Sequence, residues 1–173
     1  MLVTMKQQEF NSIDPATLAD SCIKPILQQI HTTINPSVRL QIASQLTPGQ
    51  RALFLFHVLY DHAGGSAGDL YFWVSFLLRE PNTWSAIKAS SRFFSDAAML
   101  QLLEQIEALL AAKHPQSTTE QPGTFPSDLD NDPELLASLS QLNTAYHQLV
   151  PKTLNLIGTF IHNHPDEFVQ LEE

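Results

Sequence analysis

The sequence contains one cysteine, no long apolar run and almost no basic residue in its last third. Because Cys22 is the only cysteine, an internal disulfide is excluded, and the composition fits a reducing compartment. The longest apolar stretches, Ala52–Phe56 and Leu70–Val74, are much shorter than the run of about 20 residues that spans a bilayer. Residues 1–10 also lack the apolar core of a signal peptide. These absences predict a cytoplasmic protein with no membrane partner.

Basic residues are scarce after position 113, where the chain becomes strongly acidic. Residues 114–173 contain nine Asp or Glu and one base, Lys152, whereas residues 1–113 contain nine acids and eight bases. The resulting negative field attracts cationic partners, and it opposes binding to nucleic acid, whose phosphates are contacted by Lys and Arg. The charge distribution therefore predicts a basic protein partner and no direct contact with nucleic acid.

Apolar residues recur at helical spacing through most of the chain, and 173 residues suffice for one domain with a buried core. Helix starts are indicated where a capping side chain precedes a proline. Four such pairs occur, namely Asp14-Pro15, Asn35-Pro36, Thr47-Pro48 and Asp132-Pro133, and Asn82 and Ser95 are predicted as further caps. The predicted fold class is all-α, a multi-helix bundle that forms a single domain over residues 1–173.

Two features interrupt the helical pattern. Pro25 and Pro151 fall inside helical stretches, where proline removes a backbone hydrogen bond and bends or splits the helix. Residues 114–130 are rich in Pro, Gly, Ser and Thr and have no apolar period, which predicts a mobile loop before the carboxy-terminal helices. A loop of this length is unusual in a compact domain, so both a functional loop and simple disorder remain open.

One group of residues suggests a metal site. His57 and Asp61 are four residues apart and share a helix face, and His62 and Asp69 flank the glycine-rich turn that follows. Two imidazoles and two carboxylates are a donor set for a divalent metal, which would make the protein a metal-dependent helical enzyme. In the competing structural interpretation, His57 packs in the core while Asp61 and His62 end a helix before a glycine cap.

Two other candidates for chemistry have structural explanations. Residues 63–68 are glycine-rich and precede a helix, as phosphate-binding loops do, but Asp69 follows where Lys is required and would repel phosphate. An interhelix turn is therefore predicted. Cys22 lies on an apolar stripe and is predicted to be a buried free thiol. No catalytic residue and no cofactor is predicted from these stretches.

The acidic residues are the stronger functional signal. Eight carboxylates are candidates for a binding surface: Asp128, Asp130, Asp132, Glu134, Asp166, Glu167, Glu104 and Glu107. Residues three or four apart on a helix place their side chains roughly 5–6 Å apart, which is comparable to the spacing of successive phosphates, so such carboxylates can imitate a phosphate row. A solvated surface is the alternative. The functional interpretation requires that the carboxylates converge without neutralisation by Arg51, Arg79 or Arg92.

Three stretches carry a resemblance to a known family. They are residues 46–50 with Ala52–Tyr60, residues 61–65 with Asp69–Phe72, and residues 129–146 with His164–Phe168. In that order, they resemble the first core helix, the "NGGF…YF" turn and the closing helices with a terminal "HP-x-x-F" of one family. Its members are small, acidic, all-helical bacterial proteins of unknown function, and they include a DNA mimic. The likeness covers residues 46–168, although Ala63 stands where the family has Asn.

The resemblance implies a helical fold and, for some members, binding to a DNA-binding protein such as a transcription factor; it supplies no catalytic residue. Together with the acidic composition, it predicts an acidic protein-interaction module that acts as a DNA mimic toward a basic regulator. The metal-dependent enzyme built on His57, Asp61, His62 and Asp69 is the alternative. A third interpretation is a scaffold that forms a homodimer through the aromatic helix Leu70–Leu78.

Overall fold

The computed structural model describes residues 2–113 and 125–173. In chain order the elements are β1 (Val3–Lys6), α1 (Gln7–Ser12), α2 (Pro15–Thr32), α3 (Pro36–Ser44), α4 (Pro48–Ala63), α5 (Ala67–Leu78), α6 (Pro81–Phe93), α7 (Ala97–Lys113), a 3-10 helix (Pro126–Asn131), α8 (Pro133–Asn163), a second 3-10 helix (Pro165–Glu167) and β2 (Val169–Glu172). Helices make up 81% of the structure, which confirms the predicted all-α class. The two short strands were not predicted.

The chain divides into two compact units, and each is described by itself. We call residues 2–55 together with 151–173 the terminal unit, and residues 56–150 the central unit. The helices α4 and α8 contribute residues to both units. The prediction of a single domain over residues 1–173 stays a prediction.

In the terminal unit, the two ends of the described chain meet in a parallel pair of strands, with Val3 of β1 opposite Val169 of β2. The Val3 amide also donates a hydrogen bond to the Phe168 carbonyl at 3.0 Å. Apolar side chains from α2 and α8 form the core of this unit, and Phe168 is fully buried. Because an isolated pair of strands is marginal in water, this buried aromatic residue is the main anchor of β2.

In the central unit, α5, α6, α7 and the second half of α4 bury their apolar stripes together with the first half of α8. The buried residues include Leu59, Leu70, Tyr71, Val74, Trp84, Ile87, Leu103, Ile106, Leu139 and Tyr146. The 3-10 helix lies against α5, since a Cβ built on Gly68 would be 3.2 Å from Cβ of Pro126. This contact places the acidic stretch after Pro126 beside the start of α5.

The predicted capping residues are confirmed at four helix starts. Side-chain oxygens of Asp14, Asn35 and Asp132 accept hydrogen bonds from backbone amides of the first turn of α2, α3 and α8 at 2.9–3.0 Å. Thr47 and Gln50 exchange two side-chain-to-backbone hydrogen bonds, of 3.1 and 3.2 Å, as a reciprocal cap.

Two predicted caps are wrong. Asp96, rather than Ser95, caps α7, since Asp96 Oδ1 accepts from the Met99 amide at 2.9 Å. Ser95 has a φ of 58° and makes the left-handed turn that precedes the helix. Asn82 does not cap α6 either, because the helix already begins at Pro81.

The predicted loop is shorter than the sequence suggested. Residues 114–124 lie outside the described residues, so the mobile loop predicted there stays a prediction. Residues 126–131, however, form the 3-10 helix, and Leu129 within it is buried. A buried side chain holds this end of the stretch against the central unit.

Neither internal proline ends its helix. Pro25 lies inside α2 and Pro151 inside α8, and both helices continue through them. Both helices therefore accommodate the backbone hydrogen bond that a proline removes. Although α8 is 31 residues long, no helix in the described ranges is sufficiently apolar over a sufficient length to cross a membrane.

Candidate functional site

The four residues proposed as metal ligands lie in the central unit, where they take part in three different local contacts. His57 is buried and its Nδ1 lies 3.6 Å from Oδ1 of Asp61, one turn along α4, where Asp61 is partly exposed. His62 stacks on Trp73 of α5, with ring centroids 4.0 Å apart and an interplanar angle of 13°. Within the part of the chain that the structure describes, no three His, Cys, Asp or Glu residues form a group that could hold an ion.

Asp69 has a structural role at the start of α5. Its Oδ2 accepts hydrogen bonds from the Ser66 amide and hydroxyl, both at 2.7 Å, and its amide donates to Ser66 Oγ at 3.2 Å. This is a capping box. The hydrogen bonds from Ser66 lower the pKa of Asp69, because they stabilise the ionised form.

The hydrogen bonds between Ser66 and Asp69 also account for a serine motif in the turn between α4 and α5. Residues 64–68 read Gly-Gly-Ser-Ala-Gly, which fits the Gly-x-Ser-x-Gly pattern of hydrolase nucleophiles. That pattern requires a strand before the serine, whereas a helix precedes Ser66 here, and its hydroxyl donates to Asp69 instead of a histidine base. The nearest histidine contact is His147 Nε2 at 3.2 Å from the Gly65 carbonyl, which fixes the turn. The turn is therefore structural, as predicted.

We expect replacement of Asp69 by asparagine to destabilise the protein in a pH-dependent way. The pKa of Asp69 is lowered from 3.8 in the folded state, so ionised Asp69 contributes stability above the unfolded pKa. That contribution disappears as the pH falls through the folded pKa. The midpoint of urea unfolding should therefore be lower for Asp69→Asn than for wild type at neutral pH, and the difference should vanish in acid. A constant difference across this range would contradict the capping role.

Two of the predicted acidic residues are neutralised by bases. Glu104 and Glu107 of α7 pair with Arg92 and Lys88 of α6, at 3.4 Å and 2.5 Å. Burial would raise the pKa of Glu107, but the hydrogen bond and charge of Lys88 outweigh it and lower the pKa. The expectation that these two carboxylates form an unneutralised row is thus corrected, because bases on a neighbouring helix were not visible in the spacing.

Two further acids in the central unit stabilise local structure. Asp128 Oδ2 accepts from the Phe125 amide at 2.8 Å at the start of the 3-10 helix. Asp132 caps α8 and also pairs with Lys113 of α7 at 2.8 Å, and the hydrogen bond from Lys113 lowers the pKa of Asp132. Both carboxylates also lie near Tyr71, because their charges add to the effect of burial in raising the pKa of that phenol. These acids are consequently held in fixed positions.

The remaining acids of this stretch, Asp130 and Glu134, are exposed and form no ion pair or side-chain hydrogen bond with another described residue. Two apolar neighbours are also exposed: Phe125 at 55% and Leu136 at 39%. We call residues 125–136 the acidic surface. It holds four acids, of which Asp132 forms an ion pair with Lys113. The pKa of Lys113 rises because its ammonium donates a hydrogen bond to Asp132 and because the charges of Asp132 and Glu134 favour the protonated form.

The sequence did not single out the apolar part of this surface. Phe125 was predicted to lie in the loop. Leu136 is next to Leu135, which belongs to the buried apolar stripe of α8. The available signal was that Leu136 falls outside the stripe of Leu135, Leu139 and Leu142, so it must point elsewhere.

Asp166 and Glu167 belong to the terminal unit, whereas the other six candidate acids belong to the central unit. Asp166 is exposed. Glu167 contacts the start of α4, where its Oε2 accepts from the Gly49 amide at 2.5 Å and its carbonyl accepts from the Thr47 hydroxyl at 2.7 Å. A carboxylate at a helix amino terminus is stabilised by the helix dipole, so Glu167 is a structural residue.

Cys22 is buried and free, which confirms the prediction made from its apolar stripe. Burial raises the pKa of its thiol to about 12. Because the thiolate is the reactive form, this cysteine is unreactive at neutral pH.

Comparison with known proteins adds no assignment to this geometry. No protein-family model matches the chain, and searches of curated proteins and of solved structures found no match. The resemblance to the acidic helical family described from residues 46–168 therefore stays a prediction.

Proposed function

We propose that this protein is a non-enzymatic interaction module whose acidic surface, residues 125–136, binds a basic surface on another protein. One observation supports this proposal above the others: Asp130 and Glu134 are exposed and unpaired among the described residues, beside exposed Phe125 and Leu136. Other acids of the same unit take part in caps and ion pairs: Asp69 caps α5 and Glu107 pairs with Lys88. Asp130 and Glu134 form no such contact with another described residue, so they remain available to a partner.

The arrangement suits a protein partner better than a small cation. Exposed aromatic and aliphatic side chains supply the apolar contact that protein interfaces bury, while rim carboxylates give specificity and speed association. Asp128 and Asp132 are fixed by backbone hydrogen bonds, which reduces the entropy lost when the surface binds. A basic surface of a DNA-binding regulator, which contacts phosphates through Lys and Arg, is the partner class that we propose, in keeping with the DNA-mimic prediction.

The proposal is tested with a synthetic peptide rich in arginine and leucine as the probe. Binding measured by fluorescence anisotropy should weaken steeply between about 0.1 M and 1 M salt, because the Debye length falls from about 10 Å to 3 Å. The double variant Asp130→Asn with Glu134→Gln should bind about ten-fold more weakly, since two rim charges are lost. Asp128 and Asp132 are left unchanged, because both stabilise helix starts.

The matched control changes two acids elsewhere. Asp20→Asn with Glu173→Gln alters the net charge by the same amount at exposed positions of the terminal unit. It should bind the peptide like the wild type, and duplex DNA should not bind either protein. Equal losses in both double variants would mean that net charge alone attracts the peptide, and the proposed surface would then be wrong.

A further inference from the structure

The helix α3 is unusual because none of its nine residues is buried. Leu40 is 72% exposed and Val38 39% exposed, and Ile34, just before the helix, is 92% exposed. A surface helix normally buries an apolar stripe, and clustered exposed apolar residues mark interaction sites. The terminal unit thus carries apolar side chains that its own residues do not cover.

The Asp, Glu, Lys and Arg content of the chain segment that contains this helix has one sign. Residues 21–60 contain three bases, Lys24, Arg39 and Arg51, and no Asp or Glu, in a chain with a net charge of −9. All three bases are exposed. Arg39 uses its Nε in a 2.9 Å hydrogen bond to the Thr33 carbonyl, which holds the guanidinium beside the exposed apolar residues. We call Ile34, Val38, Arg39 and Leu40 the α3 surface.

The chain itself carries the complement of this surface. The acidic surface combines exposed Phe125 and Leu136 with Asp130 and Glu134, which pair with no other residue in the described ranges. Its charge is therefore opposite to that of the α3 surface, and its apolar character is similar. We propose that the α3 surface of one molecule binds the acidic surface of a second copy of this chain. This inference rests on the proposed function, because it names a partner for the same acidic surface.

The contact is heterologous, since two different surfaces meet. A pair joined by one such contact keeps one unused α3 surface on one molecule and one unused acidic surface on the other, so association continues until a ring closes or an open chain forms. This differs from the homodimer predicted through Leu70–Leu78. In that helix Leu70, Val74 and Leu77 are buried, and Phe76, at 48%, is the aromatic residue that is exposed.

Sedimentation velocity on the full chain tests the proposal. The wild type should show an average mass that increases with concentration at low salt and falls toward the monomer at about 1 M salt, where charges are screened. Arg39→Glu should weaken this association about ten-fold or more, because like charges then face each other. Lys152→Glu makes the same charge change at an exposed position of α8 and should leave the association unchanged.

A mixture of two variants gives the sharpest result. Asp130→Lys with Glu134→Lys should weaken self-association at least as strongly as Arg39→Glu does, because each change makes like charges face each other. Mixed together, the two variants present opposite charges at both contacts and should associate again. A wild type that remains monomeric at every concentration, an Arg39→Glu variant that associates as strongly as the wild type, or two variants that associate no more strongly when mixed than alone would each overturn the inference.

Failure of the inference is distinguishable from failure of the proposed function. Arg39→Glu keeps the acidic surface intact, so it should bind the arginine-rich peptide like the wild type while losing self-association. A monomeric wild type that binds the peptide through Asp130 and Glu134 would overturn self-association and leave the proposed function standing. If peptide binding does not depend on Asp130 and Glu134, both the proposed function and the self-association are overturned.

Discussion

Replacing Gly158 with alanine is expected to lower the free energy of unfolding by about 3 kcal/mol or more. A Cβ at this position of α8 would overlap the carbonyl group of Pro15 and lie 2.5 Å from its Cα. These atoms are backbone at the start of α2, so they cannot rotate away as the end of a side chain can. Relief requires α2 to move, which would also disturb the cap formed by Asp14 and Thr17.

Urea unfolding followed by circular dichroism measures this loss. The control is Thr159→Ala, which changes the next residue of the same helix at an exposed position and should cost within about 0.5 kcal/mol. A Gly158→Ala protein that unfolds at the same urea concentration as the wild type would show that α8 does not approach Pro15 this closely.

Replacing Phe168 with alanine is expected to cost about 3–5 kcal/mol, the range for large aromatic residues removed from a core. Its side chain is fully buried, lies edge-on to Phe160 and contacts Gly49, where an added Cβ would collide with the ring. Its carbonyl also accepts the Val3 amide that aligns β1 with β2. Loss of the ring therefore leaves a cavity and frees the strand that follows it.

Phe125→Ala is the matched control, because it removes the same side chain from a position that is 55% exposed. Its effect on stability should be small, while its binding to the arginine-rich peptide should weaken. The Phe168→Ala variant should lower the melting temperature by roughly 10 °C. If the two phenylalanine variants melt at the same temperature, Phe168 is not the anchor of the terminal strands.

Local chemistry could be predicted from the sequence, and contacts between distant residues could not. Asp14, Asn35 and Asp132 were predicted as caps because their hydrogen bonds reach only two or three residues along the chain. Ser95 and Asp96 were equally suitable side chains, and only the left-handed backbone at Ser95 separates them. The choice between such neighbours depends on where packing begins the helix.

The same difference between local contacts and contacts of distant residues applies to the candidate site. The sequence locates the acids of residues 128–134 and their net charge, but the ion pairs of Glu104, Glu107 and Asp132 join residues 12 to 19 positions apart on different elements. No spacing rule within one helix predicts such pairs. Structure was needed to separate the carboxylates that stabilise the fold from Asp130 and Glu134, which form no ion pair with another residue that the structure describes.

The parallel pairing of β1 with β2 has a consequence for synthesis. Val3 is synthesised more than 160 residues before its partner Val169. At elongation rates of about 5–20 residues per second, β1 waits roughly 8–30 s for that partner, which is long compared with the folding time of most small domains. Until Val169 is synthesised, β1 in the nascent chain is thus an unpaired edge to which chaperones have access.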